Sequence, residues 1–122
     1  MEAIEQIHQL RQWVEDKKPY HDGLTVAELA AKLATLNAKL ATNLSTLHHD
    51  ATQKQISVQK QVRDTGASLG DAELAGREAA LEERESYENA KYVYDSTKNL
   101  ISTLQSLSSR LSEEMKQGGL ET

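Results

Sequence analysis

The chain of 122 residues contains no cysteine and no phenylalanine. Without cysteine it can form neither a disulfide bond nor a thiolate metal site, and it has no thiol nucleophile. Hydrophobic residues make up 38% of the chain, and many of them are alanines. Leucine must therefore fill most of the core, which we expect to be thin.

Proline and glycine are also scarce. The chain has one proline and six glycines, and the segment from Thr25 to Arg63 contains neither. These residues interrupt helices most strongly, and the β-branched and aromatic runs that strands require are missing. The composition predicts an all-α protein with long helices, and the length is that of a single domain, 1–122.

Long apolar runs are absent as well. No run approaches the roughly 18 residues that a membrane span needs. Glu2 and Glu5 make the N-terminus acidic and amphipathic, whereas a secretory signal is basic and then continuously apolar. We expect a soluble, cytoplasmic protein that does not bind membranes, and export without a signal stays open.

The first predicted helix covers about residues 2–18. Four apolar residues recur at steps of three and four, which places them on one face: Ile4, Ile7, Leu10 and Val14. Trp13 lies on the flank of this face, where we expect it to cover neighbouring helices. Lys17 and Lys18 favour a helix end, and Pro19 prevents continuation.

The second predicted helix covers about residues 25–64. Thr25 and Glu28 have the spacing of a capping box, and Leu24 and Leu29 that of a hydrophobic staple. Six leucines then recur at helical spacing: Leu29, Leu33, Leu36, Leu40, Leu44 and Leu47. This row predicts one apolar face along the first half of the helix.

The third predicted helix covers about residues 70–117. Turn-forming residues cluster at 64–70, where Ser68 and Asp71 form a second capping pair, and the glycine pair 118–119 is expected to end the helix. Its apolar row is again helical: Ala90, Val93, Thr97, Leu100, Leu104, Leu107, Leu111 and Met115.

Folding the chain back at this turn pairs residue i with about residue 134 − i. The two apolar rows then face each other, and the polar segment 51–62 faces the alanine- and glycine-rich segment 72–83, where backbones can approach closely. We therefore predict a long, coiled-coil-like antiparallel helical hairpin. The shorter N-terminal helix packs on its base near 24–42, which gives three helices in total.

Acidic residues are concentrated in one segment. Residues 71–88 carry seven acidic side chains against two arginines, a balance that equals the net charge of −5 of the whole chain. Segment 50–63 carries three basic side chains against one acidic side chain. The acidic segment therefore either pairs with segment 50–63 across the hairpin or forms a surface for a partner.

Two short motifs suggest chemistry. Residues 64–67 read Asp-Thr-Gly-Ala, which resembles the active-site signature of aspartic proteases, but that family places it between strands, whereas helical patterns flank it here. His48, His49 and Asp50 are potential metal ligands, but adjacent helical residues diverge by about 100° and cannot both bind one ion. We predict a helix-ending turn and no metal site.

No phosphate-binding loop, catalytic triad or pair of carboxylates in an apolar pocket is found. We therefore predict no catalytic residues and no cofactor, and a non-enzymatic protein-binding or assembly function. The favoured hypothesis is a self-associating helical-hairpin adaptor, a homodimer whose hairpins pack as a helical bundle. Self-association would cover four apolar flank residues: Ile56, Leu74, Leu81 and Ile101.

The alternative is a small inhibitor or regulator that binds a nucleic-acid-processing or other protein through its acidic helical face. Five residues would contact that protein: Glu82, Glu83, Glu85, Tyr92 and Tyr94. Direct binding of nucleic acid is not expected, because no basic groove surrounds the tyrosines. Exported helical hairpins of the Trp-x-Gly type have a similar length, but their motif lies in the turn, whereas Trp13 lies within the first helix.

Overall fold

The computed structural model describes the backbone of residues 2–20 and 22–121 and the side chains up to residue 116, except that of residue 21. This part of the chain contains no strand, so the all-α prediction is confirmed. Its four helices are α1 Glu2–Lys17, α2 Gly23–Asp64, α3 Leu69–Ala79 and α4 Leu81–Glu121. Among these residues, no helix combines the length and apolarity needed to cross a membrane.

The prediction of three helices is wrong, because the third predicted helix is divided at Ala80. This residue has φ −95° and ψ 8°, and helix α4 begins directly after it. Its N–H still donates to Gly76 O at 3.1 Å, and Arg84 N–H donates to Ala80 O at 2.9 Å. The break lies four residues after Gly76, where a Cβ atom would be 2.7 Å from Gln55 O of α2. The strong helix propensity of alanine alone does not predict it.

The glycine pair 118–119 does not end α4, which continues to Glu121. Glycine disfavours a helix by only about 1 kcal/mol relative to alanine, so it weakens the last turn without forbidding it.

Helix α2 begins two residues earlier than predicted, because Asp22 rather than Thr25 caps it. Asp22 Oδ1 accepts a hydrogen bond from Leu24 N–H at 3.1 Å, and Oδ2 accepts one from the Thr25 hydroxyl at 2.6 Å. Leu24 is exposed, so the predicted staple does not form. Asp22 takes precedence because its carboxylate accepts from the Leu24 N–H, one of the first unpaired N–H groups of the helix.

The turn between α2 and α3 forms as predicted. Gly66 has φ +92°, a conformation that glycine adopts without strain. Ser68 caps α3, since its hydroxyl oxygen accepts a hydrogen bond from Asp71 N–H at 3.2 Å. The protease-like motif is therefore a helix-ending turn.

The described residues form two compact units. Unit 1 comprises residues 1–40 and 93–122, and unit 2 comprises residues 41–92. In unit 1, α1, the start of α2 and the C-terminal part of α4 share a core that buries these apolar side chains: Ala3, Ile7, Val14, Val26, Leu29, Ala30, Leu33, Leu40, Val93 and Leu104. The prediction of a single domain stays a prediction.

Within unit 1, α2 and α4 run antiparallel. The Ser108 hydroxyl donates to Gly23 O at 2.9 Å, and Asn37 Nδ2 donates to Tyr94 O at 3.2 Å. Helix α1 is joined to α4 by Arg11, whose guanidinium donates to the Ser96 hydroxyl at 3.1 Å.

Small side chains make the core of unit 2. Ala51 of α2 is buried, as are Ala72, Gly76, Ala80 and Ala90 on the opposite side. A Cβ atom at Gly76 would lie 2.7 Å from the carbonyl oxygen of Gln55. The predicted close approach of the two backbones is therefore present.

Lys18, which follows α1, has φ +45°, a left-handed conformation that is strained for residues other than glycine. Replacing Lys18 with glycine is expected to raise the free energy of unfolding by about 1 kcal/mol. Lys17→Gly, within the helix, should lower it by about 0.5 kcal/mol. Urea denaturation measures both, and a loss of stability in Lys18→Gly would contradict this conformation.

Candidate functional site

The three potential metal ligands, His48, His49 and Asp50, do not form a reactive cluster. His48 contacts the ring of Tyr87 edge-on, with 5.1 Å between ring centroids, and His49 and Asp50 are exposed. Within the described part of the chain, no group of three His, Asp or Glu residues is placed to hold a metal ion. The surface features of the two units therefore become the candidates.

Unit 2 carries an open groove along the start of α4. Leu47 and Asp50 of α2 line it together with α4 residues between Leu81 and Tyr92. Carboxylates dominate the lining: Asp50, Glu82, Glu83, Glu85 and Glu88. The groove is therefore acidic.

One face of α3 and α4 is exposed along its whole length in unit 2. Leu81, Glu85, Glu88 and Tyr92 follow each other at steps of 4, 3 and 4, and Leu74 precedes Leu81 by seven residues. Such spacing places side chains in one row along a helix. We call these five residues the acidic stripe.

The apolar members of the acidic stripe are well exposed. Leu74 is 56% exposed, Leu81 57% and Tyr92 73%. The hydrogen bonds that bridge Ala80 preserve helical spacing between Leu74 and Leu81. Single exposed apolar residues are common on proteins, but a row of them indicates a binding surface.

Two basic side chains, those of Lys54 and Arg84, contact polar groups in or beside the groove. Lys54 Nζ lies 2.7 Å from Glu83 Oε1, an ion pair. Arg84 lines the groove, but its guanidinium donates to the side-chain oxygen of Gln55, through Nε at 3.0 Å and also through a second nitrogen. Glu85 and Glu88 of the acidic stripe are exposed and form no ion pair with a described residue.

The hydrogen bond from Lys54 lowers the pKa of Glu83, and the same contact raises the pKa of Lys54. Because the pKa of Glu83 is lower in the folded chain than in the unfolded chain, the pair stabilises the fold above the ordinary glutamate pKa. This contribution is lost as the pH falls through the lowered value. At high pH, the stabilising contribution of the ion pair is lost as the pH rises through the raised pKa of Lys54.

Replacing Lys54 with glutamine is therefore expected to raise the pKa of Glu83 toward its ordinary value. Carboxyl ¹³C NMR titration of Glu83 measures this change. Lys91→Gln removes an exposed lysine of the same unit that does not contact Glu83, so it should leave the titration unchanged. An identical response to both substitutions would mean that the ion pair does not form.

The predicted partner-binding residues do not all share one place. Glu82, Glu83, Glu85 and Tyr92 line the groove. Tyr94 is half-buried, belongs to unit 1, and its carbonyl accepts the hydrogen bond from Asn37. It lies two residues after Tyr92 on α4, so the two rings point to different sides of the helix.

The predicted self-association residues also separate. Ile56, Leu74 and Leu81 are exposed in unit 2, whereas Ile101 is half-buried in unit 1. Leu74 and Leu81 belong to the acidic stripe, and Ile56 lies on α2. Sequence reasoning missed Glu88 as a member, although the alternating steps of 4 and 3 from Leu74 to Tyr92 could have identified it.

Unit 1 has a second open groove, between α1 and α2. Trp13 and Leu10 line one side, and the other side includes Leu36, Lys32 and Lys39. Trp13 is 42% exposed, so it covers its neighbours only in part. The charges of this groove are mixed, since Glu28 also lines it.

The arrangement in unit 2 is suited to binding, because exposed apolar side chains and carboxylates share one helical face. A complementary protein surface could cover the apolar groups and pair with the charges.

Comparisons of the chain with known protein families, with curated proteins and with solved structures give no match.

Proposed function

We propose that this protein is a non-enzymatic interaction protein of the cytoplasm, an adaptor or regulator that binds another protein through the acidic stripe. The observation that carries this proposal is the row of three large apolar side chains, Leu74, Leu81 and Tyr92, each more than half exposed at helical spacing. Water contact at such a row is unfavourable, and a bound partner removes it.

The packing of unit 2 supports this role. The opposite face of α3, with Ala72 and Gly76, packs against α2, so the acidic stripe does not contribute to that core. The core of unit 2 therefore does not depend on Leu81 or Tyr92. Replacing either residue is expected to lower the free energy of unfolding by no more than about 0.5 kcal/mol.

Affinity purification from the native host tests the proposal. Leu81→Ala/Tyr92→Ala removes two apolar groups of the acidic stripe, and Leu24→Ala/Met115→Ala removes two similarly exposed groups of unit 1 as the matched control. We expect the unmodified chain and the control variant to capture at least one protein that the stripe variant does not capture. Identical sets of captured proteins would contradict the proposal.

The second candidate is a self-associating adaptor, in which two hairpins form a homodimer. The exposure of Ile56, Leu74 and Leu81 favours it, because a second chain could cover all three. Sedimentation equilibrium at tens of micromolar protein should then show a dimer that Leu74→Ser/Leu81→Ser dissociates. A strict monomer would exclude this candidate.

A further inference from the structure

We infer that the acidic stripe binds a basic amphipathic α-helix, that is, a helix with apolar residues on one face and lysine or arginine beside them. This inference rests on the proposed function and specifies the chemistry of the partner. Two properties of the acidic stripe carry it, its spacing and its charge.

The spacing fits a helix. Leu74 and Leu81 are seven residues apart, and Tyr92 follows eleven residues later, so all three lie on a repeat that alternates steps of 4 and 3. A partner helix can present apolar side chains with the same repeat, which would pack against Leu74, Leu81 and Tyr92. Its basic side chains would lie opposite the glutamates of the row. The acidic stripe spans 19 residues, and its two ends are about 27 Å apart, which matches a partner helix of about five turns.

The groove beside the acidic stripe adds a second wall. Leu47 and Asp50 of α2 line it opposite Leu81 and Tyr92. Leu47 is half-buried and offers apolar area to a bound helix, whereas Asp50 is exposed at its rim. A helix that lies along α4 would thus contact the apolar side chains of Leu47, Leu81 and Tyr92. It would also meet the carboxylates of Glu85 and Glu88, which lie between Leu81 and Tyr92 on α4.

The charge selects a basic partner. Asp50, Glu82, Glu85 and Glu88 are exposed along the groove, and none of them forms an ion pair with any described residue. Lys54 is paired with Glu83. Lysine and arginine beside the apolar face of a partner would meet these carboxylates, which accelerates association and excludes acidic helices.

A second copy of this chain fits less well. If two acidic stripes packed in parallel and in register, Glu85 and Glu88 of one copy would face the same carboxylates of the other copy. In antiparallel packing with the two rows overlapped, Glu88 would lie opposite Glu78. Like charges that face each other across an interface are unfavourable. The charge pattern therefore favours a basic helix over self-association at this surface.

Calorimetric titration of the full chain with two synthetic peptides tests the inference. Both peptides contain about three heptads with leucine in the apolar row, and the flanking positions are lysine in one and glutamate in the other. We expect the lysine peptide to bind with a stoichiometry of one and the glutamate peptide not to bind. Binding of both peptides, or of neither, would overturn the inference.

Matched variants separate the acidic stripe from the overall charge. Glu85→Lys/Glu88→Lys should weaken binding of the lysine peptide by about tenfold or more, whereas Glu113→Lys/Glu114→Lys makes the same change of charge in unit 1 and should alter it by less than about threefold. Leu81→Ala/Tyr92→Ala should weaken binding by about tenfold, and Leu24→Ala/Met115→Ala should not.

Circular dichroism confirms that each variant is folded before titration. Equal weakening by the two charge variants would show attraction to the net charge alone and would overturn the inference. A dimer that Leu81→Ala/Tyr92→Ala dissociates in sedimentation would overturn it in favour of a second copy.

The two proposals can fail separately. If the native host yields a protein that requires the acidic stripe while the lysine peptide does not bind, the partner chemistry is wrong and the interaction function stands. If no captured protein requires the acidic stripe, the proposed function fails as well.

Discussion

Replacing Leu33 with alanine is expected to lower the free energy of unfolding by about 3–4 kcal/mol. Leu33 is completely buried in the core of unit 1, where α1, α2 and α4 meet. The substitution removes apolar contacts and leaves a cavity that a core of long, regular helices cannot easily close. Urea denaturation followed by circular dichroism measures the change.

Leu24→Ala is the matched control. Leu24 lies on the same helix, but it is 69% exposed, so the same substitution should change the free energy of unfolding by less than about 0.5 kcal/mol. Alanine favours helices slightly more than leucine at both sites, so the difference between the two variants reports packing. A loss below about 1 kcal/mol for Leu33→Ala would contradict its burial in this core.

The helical class follows from residue types alone. Helix α2 could be predicted almost to its ends, because the segment from Thr25 to Arg63 has no glycine or proline and a turn follows it. The break at Ala80 could not be predicted, because both alanines there favour a helix. It follows a segment in which Gly76 packs closely against Gln55 of α2. Local propensity carries no information about such tertiary constraints.

The buried face of α2 was predicted only in part, because the prediction was based on the leucines alone. Val26, Ala30 and Asn37 are buried between them and complete a row with steps of 4 and 3. Asn37 is a polar residue in this row, and the buried hydroxyl of Thr97 has no hydrogen-bond partner among the described residues. Burial thus follows the position on the helix rather than residue hydrophobicity.

Met115 shows the opposite case. It belongs to the predicted apolar row of α4, yet it is exposed. Gly23, the first residue of α2, lies opposite Ser108, and Met115 lies about two turns further along α4. Helix α2 therefore has no residue opposite Met115, and a sequence pattern cannot show where a packing partner ends.

The candidate site was predicted as separate residues rather than as a surface. Leu74, Leu81 and Tyr92 were each proposed, but for two different functions, and Ile101 was grouped with them although it is half-buried in unit 1. Helical periodicity shows which residues share a face, but it does not show which face stays uncovered. The exposure of the acidic stripe required the packing of α3 and α4 on α2.

Replacing Gly76 with leucine is expected to lower the free energy of unfolding by about 3 kcal/mol, and Gly76→Ala by about 1 kcal/mol. A Cβ atom at Gly76 would lie 2.7 Å from Gln55 O and 3.2 Å from Gln55 Cγ, and the backbone carbonyl cannot turn aside. Helix α3 must therefore move away from α2. The gain in helix propensity, about 1 kcal/mol for alanine, offsets only part of this cost.

Gly70→Ala provides the control with the opposite sign. Gly70 also lies in α3, but no atom is within 4 Å of an added Cβ, so alanine should raise the free energy of unfolding by about 0.5–1 kcal/mol. Thermal and urea denaturation of both variants, with hydrogen exchange at residues 51–62, would locate the change. If Gly76→Ala also stabilised the protein, the gain in helix propensity would outweigh any steric cost. The close contact of α3 with α2 would then be wrong, and with it the placement of the acidic stripe on the outer face.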